Sequence, residues 1–160
     1  MKKILFSLVL LFVGQVIYAQ DLNKLMDDLA KIEGAQKQVM DRDMLNKSVP
    51  ESQKEKMPDF MNKVDSITAV ILSSCSEDVI AEFSAGVNAA ETSDAYEPLV
   101  SVKQKDNIVT ILQAKTEDEA KEIYIYVVGS GGATVFVKMS GKFTVEDLAN
   151  IVKEQQKSNN

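Results

Sequence analysis

The one cysteine of the chain, Cys75, lies in the stretch SSCSED, between a β-branched apolar run and an amphipathic one. A thiol beside a helix N-terminus can serve as a nucleophile or a redox switch, because the helix dipole favours the thiolate. The chain contains no histidine, which excludes a Ser-His-Asp triad and a Cys-His dyad. We interpret Cys75 as a packed residue at a strand-to-helix junction, since free cysteine is among the most buried residue types.

Two other stretches resemble ligand-binding loops. GSGGAT, which begins at Gly129, has the glycines of a phosphate loop, but β-branched residues follow where a dinucleotide fingerprint opens a helix. We therefore predict a hairpin turn. DRDMLNKSVPES begins like a calcium loop, but Asn46 replaces the turn glycine and Ser52 replaces the bidentate glutamate. We interpret the remaining carboxylate clusters as solvated surface charge and predict no catalytic residue, metal site or cofactor.

The strand-like stretches EIYIYVV and ATVFVKM alternate between two sets of side chains, because successive residues of a strand point to opposite faces. We expect the aliphatic set, which includes Ile125 and Val137, to face the helices. The aromatic and polar set would then form a candidate binding face on the open side of the sheet: Tyr124, Tyr126, Phe136 and Lys138. In the alternative, residues 44–61 cover this face as a second small core, because large exposed apolar patches are unusual.

The first 20 residues, MKKILFSLVLLFVGQVIYAQ, have the pattern of a secretory signal peptide: a basic start, an apolar run and a small residue at the cut. The apolar run is shorter than the about 20 residues that cross a bilayer. We predict a signal peptide over residues 1–19, with cleavage between Ala19 and Gln20. Gln20 is not a cysteine that could carry a lipid, so we expect a periplasmic or secreted protein without a stable membrane anchor.

Removal of Lys2 and Lys3 with the signal peptide leaves 16 basic and 24 acidic side chains, so the formal net charge changes from −6 to −8. Such a surface makes nucleic acid a poor partner, because the phosphate backbone attracts basic proteins. Residues 20–160 have the length of a single domain that folds around its own core. We therefore expect one acidic domain whose partner is an unknown envelope protein or a small ligand.

The first half of the mature chain predicts three elements around an irregular segment. Apolar residues at helical spacing follow Asp21, which is a candidate N-cap, and Gly34 is the candidate terminator. A short strand is predicted over residues 36–41 and a buried strand over residues 64–72. Residues 44–61 contain Pro50 and Pro58, so we expect an irregular helix or a mobile loop there.

The second half predicts a helix, four strands and a last helix. Ser74 with Glu77 fits a capping box for the first of these helices, and Ser76 is the alternative N-cap. Thr144 and Asp147 form a second capping box. The strands are expected over residues 99–104, 108–113, 123–128 and 134–140. This order indicates an α+β fold: a largely antiparallel mixed sheet with a four-strand C-terminal meander and helices packed mainly on one face.

Several of these pieces together resemble an exported family of Gram-negative bacteria, domain of unknown function 4252. The resemblance lies in VDSITAVIL, in YEPLVSV and in VFVKMSGKFTVEDLANIV, where a strand leads to Gly141 and then to a capped helix. It covers nearly the whole mature chain. The resemblance implies the architecture above and brings no catalytic residue, substrate or cofactor with it.

Two functions are consistent with these features. The preferred one is a non-enzymatic envelope or periplasmic module that binds a partner protein or a small ligand through the open sheet face or a sheet edge. The alternative is an envelope hydrolase that uses carboxylates or tyrosine hydroxyls, since these groups can also transfer protons.

Overall fold

The structure is a computed structural model that describes residues 21–104, 107–117, 121–129, 134–144, 146–150 and 153. The predicted signal peptide, with Ala19 and Gln20, lies outside these residues, as does most of the hairpin turn predicted at GSGG. The helices are α1 (Leu22–Leu29), α2 (Arg42–Ser48), α3 (Glu51–Lys54), the 3-10 helix Asp59–Lys63, and α4 (Glu77–Glu91). The strands are β1 (Gln36–Asp41), β2 (Val64–Ile71), β3 (Tyr96–Gln104), β4 (Asn107–Ala114), β5 (Lys121–Val128) and β6 (Thr134–Gly141). Residues 146–150 are helical as well.

The six strands form one sheet in the order β1-β2-β6-β5-β4-β3. Each neighbouring pair of strands is antiparallel, so the sheet is antiparallel and not mixed. Together with the helices, the sheet confirms the α+β class. β1 and β3 are the two edges of this open sheet, and β5 and β6 lie near its centre.

Helices α1 and α4 cover one face of the sheet. Leu22, Met26 and Leu29 lie on one side of α1 because they are three or four residues apart, and all three are buried. They pack with Phe83 and Val87 of α4 against the sheet. We call this group of side chains the helix-side core; its sheet residues include Val70, Leu112, Tyr124, Tyr126 and Phe136.

A second group of apolar side chains covers the other face. Ile123, Ile125 and Met139 point to this side and pack with Phe60 of the 3-10 helix. Phe143 and Leu148, which follow β6 in the chain, belong to the same group, and Leu45 and Met61 pack against it. The two ends of residues 44–61, through Leu45, Phe60 and Met61, therefore pack on the aliphatic face, which is the opposite face to the one considered from the sequence. The middle of the sheet is buried on both sides.

The capping residues fix where the helices begin. The Asp21 side chain accepts a hydrogen bond from the Asn23 amide at 2.9 Å, as predicted for an N-cap. Ser76, and not Ser74, caps α4. The predicted capping box at Ser74 is wrong because the chain makes a turn after β2 before the helix begins. In this turn the Cys75 amide donates a hydrogen bond of 2.9 Å to the Leu72 carbonyl.

The second predicted capping box is confirmed. The Thr144 amide donates to Asp147 Oδ2 at 2.7 Å, and the Asp147 amide donates to Thr144 Oγ1 at 3.2 Å. Lys63 adds an ion pair to the same carboxylate at 2.7 Å. This contact ties the end of the 3-10 helix to the segment that follows β6.

Candidate functional site

The predicted binding face is not on the surface. Tyr124, Tyr126 and Phe136 are at most 2% exposed, and they lie beneath α1 and α4 in the helix-side core. The expectation that the aliphatic set faces these helices and leaves the aromatic set open is therefore wrong. These rings pack with Phe83 of α4 and with the apolar side of α1, so the aromatic side chains are the ones that the two helices bury.

Most ring pairs of this cluster meet edge to face, and Tyr124 and Phe136 are stacked; both are favoured geometries for aromatic pairs. Phe83 of α4 lies 5.2 Å from Tyr126 and 5.1 Å from Phe136 between ring centroids. Tyr96 meets Tyr124 at 5.8 Å and a right angle. The Tyr126 hydroxyl shares a hydrogen bond of 2.5 Å with Ser84 Oγ, so its polar end is satisfied inside the core.

Lys138, the fourth predicted residue, belongs to a half-buried polar cluster at the N-terminal end of α1. Its Nζ donates to Asn23 Oδ1 at 2.6 Å and forms an ion pair with Glu122 Oε1 at 3.0 Å. The Tyr124 hydroxyl donates to Glu122 Oε2 at 2.9 Å. The Tyr96 hydroxyl accepts from the Leu22 amide at 2.9 Å. The cluster therefore anchors α1 to the sheet, which the sequence pattern did not predict.

The electrostatics of this cluster hold each group in one protonation state. Burial opposes ionisation of Glu122, but the hydrogen bonds from Lys138 and Tyr124 outweigh it, so the pKa of Glu122 is lowered. Burial raises the pKa of Tyr124, and the neighbouring Glu122 carboxylate raises it further. Burial also raises the pKa of Tyr96. A proton-transfer group works best when its pKa is near the operating pH, and these shifts move the pKa values of Glu122, Tyr124 and Tyr96 further from neutrality.

Cys75 lies in the turn between β2 and α4, where it is half-buried and packs against the helix-side core. This placement agrees with the interpretation of a packed junction residue. Among the described residues, no three histidine, cysteine, aspartate or glutamate side chains are grouped in a way that could hold a metal ion. The Asp27 carboxylate forms an exposed ion pair with Lys37 at 3.1 Å.

A cleft of about 210 Å³ lies between α1 and α4. Its walls are mainly apolar, and two carboxylates, Asp28 and Glu82, stand at the two sides. The apolar lining residues are Leu25, Leu29, Ile32, Val79, Phe83 and Gly86. Leu25, Ile32 and Val79 are only half-buried. They lie at the edges of the apolar sides of the two helical segments, and the middle of each apolar side packs on the sheet. The sequence placed some of these residues on apolar stripes but did not predict that two helices would face each other.

Comparison with known proteins shows the family. The family model described as "Domain of unknown function (DUF4252)" matches residues 19–151. The chain belongs to this family. No curated protein and no solved structure matches the chain. The DUF4252 assignment agrees with the resemblance found in the sequence, and it carries no activity, substrate or cofactor with it.

The two edges of the DUF4252 sheet differ in how they are protected. β3 contains Pro98, which cannot donate a backbone hydrogen bond, and its register with β4 shifts between Pro98 and Val100. β1 has no proline and pairs with β2 in unbroken register along its whole length. Val39, in the middle of β1, is 53% exposed. β1 is therefore the less protected edge.

A second cleft lies on the other side of the DUF4252 domain. A cleft of about 220 Å³ is bordered by α2 and the 3-10 helix, with Arg42, Leu45 and Met61 among its lining residues. The Arg42 guanidinium is already paired with Asp65 at 2.9 Å. In the part of the chain that the structure describes, no helix is long and apolar enough to cross a membrane.

Proposed function

We propose that this protein is an exported, non-enzymatic binding module of the cell envelope, and that the cleft between α1 and α4 is its binding site. The occupant we propose is a segment of a partner protein that carries an apolar side chain next to a lysine or arginine. The observation that carries this proposal is the cleft itself, in which half-buried apolar walls stand beside two carboxylates.

The apolar part of the cleft supplies the affinity. A volume of about 210 Å³ suits one or two apolar side chains. Leu25, Ile32 and Val79 are half-buried, so a side chain inserted between the helices would remove further apolar area from water. Such burial contributes roughly 25 cal/mol for each Å² of apolar surface.

The carboxylates supply the preference for a basic partner. Asp28 and Glu82 are both exposed at the sides of the cleft. Asp28 has an ion pair with Lys31 at 3.3 Å, but both side chains are more than half exposed, so this pair is weak and can be exchanged. The acidic excess of the mature chain acts in the same direction over a longer range.

The alternative function, a hydrolase based on tyrosine or carboxylate chemistry, gains no support from the polar cluster. Glu122, Lys138 and Tyr124 satisfy one another, and the pKa values of Glu122 and Tyr124 are displaced away from neutrality. An acid or base of this kind would be a poor proton carrier near pH 7.

The export part of the proposal is supported by the basic start, the short apolar run and the small residue at Ala19. It is tested by mass spectrometry of the protein extracted from an osmotic-shock fraction. We expect the mature chain to begin at Gln20. Recovery of the full-length chain from the membrane pellet would contradict the proposed location.

The binding part is tested by NMR titration with short synthetic peptides that carry phenylalanine or leucine beside lysine. We expect the shift changes to concentrate at Leu25, Ile32 and Val79, and to disappear when glutamate replaces the peptide lysine. Glu82→Lys should weaken binding, whereas Glu97→Lys, an equal charge change on exposed strand β3, should not.

A photo-crosslinking amino acid at Val79 then tests the site in the native envelope. The proposal predicts adducts with a protein segment of the stated chemistry, and these adducts should be lost in Glu82→Lys. Shift changes outside the cleft, or adducts consisting of lipid, would show that the proposed occupant is wrong.

A further inference from the structure

Strand β1 is an edge strand whose outer side presents backbone amide and carbonyl groups. Among the described residues, β1 pairs with β2 alone, from Gln36 with Ile71 to Asp41 with Ser66. Most of its residues are exposed, and Val39 is one of the few large exposed hydrophobic residues of the described chain. An unprotected edge of this kind is a template for another strand.

We infer that β1 is a self-association surface, where it pairs antiparallel with β1 of a second copy about a twofold axis at Val39. The two sheets would then join into one continuous sheet. This inference is independent of the proposed ligand cleft, because no residue of β1 lines that cleft.

Symmetry limits the register of this pair. Directly opposed residues of an antiparallel pair point to the same face, and a twofold axis that relates antiparallel neighbours is perpendicular to the sheet. Such an axis cannot relate Gln38 to Val39, because these neighbours point to opposite faces. The axis must therefore pass through one residue position: Gln38, Val39 or Met40 in the middle of the strand.

The charges of β1 select one of these registers. With the axis at Val39, Lys37 lies opposite Asp41 of the second copy, and the same pair occurs again on the other side of the axis. The two exposed Val39 side chains meet between these ion pairs. An axis at Gln38 would place Lys37 opposite Val39, and an axis at Met40 would place Val39 opposite Asp41. Opposite charges and apolar pairs across strands are favourable, so the axis at Val39 fits best.

The charged groups remain able to make these contacts. Asp41 Oδ1 accepts a hydrogen bond from the Met44 amide at 2.8 Å as the N-cap of α2, and a carboxylate has a second oxygen for Lys37. The Lys37 ion pair with Asp27 is exposed, so its ammonium group can be shared or exchanged.

The twofold axis also has a consequence for binding. Because the axis is perpendicular to the sheet, α1 and α4 of both copies lie on the same face of the joined sheet. Two clefts would then point in the same direction, and a partner with two binding segments would gain from the higher effective concentration.

Disulfide trapping tests the register. In a Cys75→Ser background, Val39→Cys should form an intermolecular disulfide under mild oxidation, because the two Cα atoms would be about 5 Å apart. Lys37→Cys is the matched control: it lies on the same strand and face, but it would be about 13 Å from its own copy. Faster crosslinking of Lys37→Cys than of Val39→Cys would overturn the proposed pair.

Charge reversal tests the ion pairs with sedimentation velocity over a range of protein concentrations. Lys37→Glu places like charges at both contacts and should weaken self-association about tenfold. The double variant K37E/D41K restores both pairs with reversed signs and should recover the association. Asp27→Asn, which removes only the intramolecular pair of Lys37, should leave self-association in place. A chain that stays monomeric up to about 1 mM overturns the inference, as does failure of the double variant to recover association while circular dichroism shows it folded.

Discussion

Replacing Tyr126 by alanine should destabilise the protein at least as much as replacing its neighbour Ile125. Tyr126 is 2% exposed, its ring meets Phe83 and Phe136, and its hydroxyl bonds to Ser84. Truncation of a buried aromatic residue to alanine costs about 3 to 5 kcal/mol, and truncation of a buried isoleucine costs about 2 to 5 kcal/mol. Both residues are buried because the sheet is covered on both faces.

The measurement is chemical denaturation followed by far-ultraviolet circular dichroism, with thermal melting as a second readout. A domain of this size has a total unfolding free energy of about 5 to 15 kcal/mol, so either variant loses a large share of it. The melting temperature of Tyr126→Ala should fall by roughly 10 to 20 °C. Tyr126→Phe is the matched control: it keeps the ring contacts and should lose about 1 kcal/mol with the hydroxyl hydrogen bond.

The reasoning would be refuted if the unfolding free energy of Tyr126→Ala lay within about 0.5 kcal/mol of that of the parent chain, because a change this small is typical of substitutions at exposed positions. That result beside a strongly destabilised Ile125→Ala would show that the aromatic face is open. A large loss in Tyr126→Phe would instead show that the hydroxyl contact to Ser84, and not the ring packing, supplies most of the energy.

Three further changes test other parts of the structure. Gly34→Ala should cost roughly 1 to 3 kcal/mol in denaturant titration, because Gly34 has φ of +92° and a Cβ would lie 2.7 Å from the Ser74 carbonyl oxygen. The hydrogen bond from Lys63 lowers the pKa of Asp147 to about 2, below its unfolded value near 3.9, so its contribution to stability is present above pH 4 and is lost as the pH falls toward 2. Asp147→Asn should therefore reduce the fall in melting temperature between pH 4 and pH 2. Cys75→Ser should cost at most about 1 to 2 kcal/mol and leave the fold unchanged by circular dichroism, because the thiol is half-buried.

Local chemistry in the sequence predicted the elements well. The stretch of β1 was predicted over the same residues that the structure gives, 36–41, and the caps at Asp21 and Thr144 were also found. These features depend on neighbours within a few residues, so the sequence contains the physical cause directly.

The assignment of faces failed because a period of two shows which side chains share a face but not which face the helices cover. In IYIYVV, residues 123–128, both sets are apolar or aromatic and uncharged, which is typical of a strand buried on both sides, and this signal could have corrected the prediction. Lys138 suggested exposure, but its long side chain reaches Glu122 and Asn23 at the margin of the core. The cleft and the polar cluster join residues that are distant in sequence, so no local pattern could predict them.

The strand order also predicts an order of events in folding. β3 to β6 pair with their neighbours along the chain, so these contacts can form early and locally. The pairing of β2 with β6 is not local in sequence, because Ile71 pairs with Val135, roughly sixty residues later in the chain. The loop must close before these non-local contacts can stabilise the chain, so this pairing is expected to be a slow step. Until β6 is available, β2 exposes two faces with β-branched side chains and a free edge, so a chain halted at this stage is expected to aggregate more readily than the folded protein.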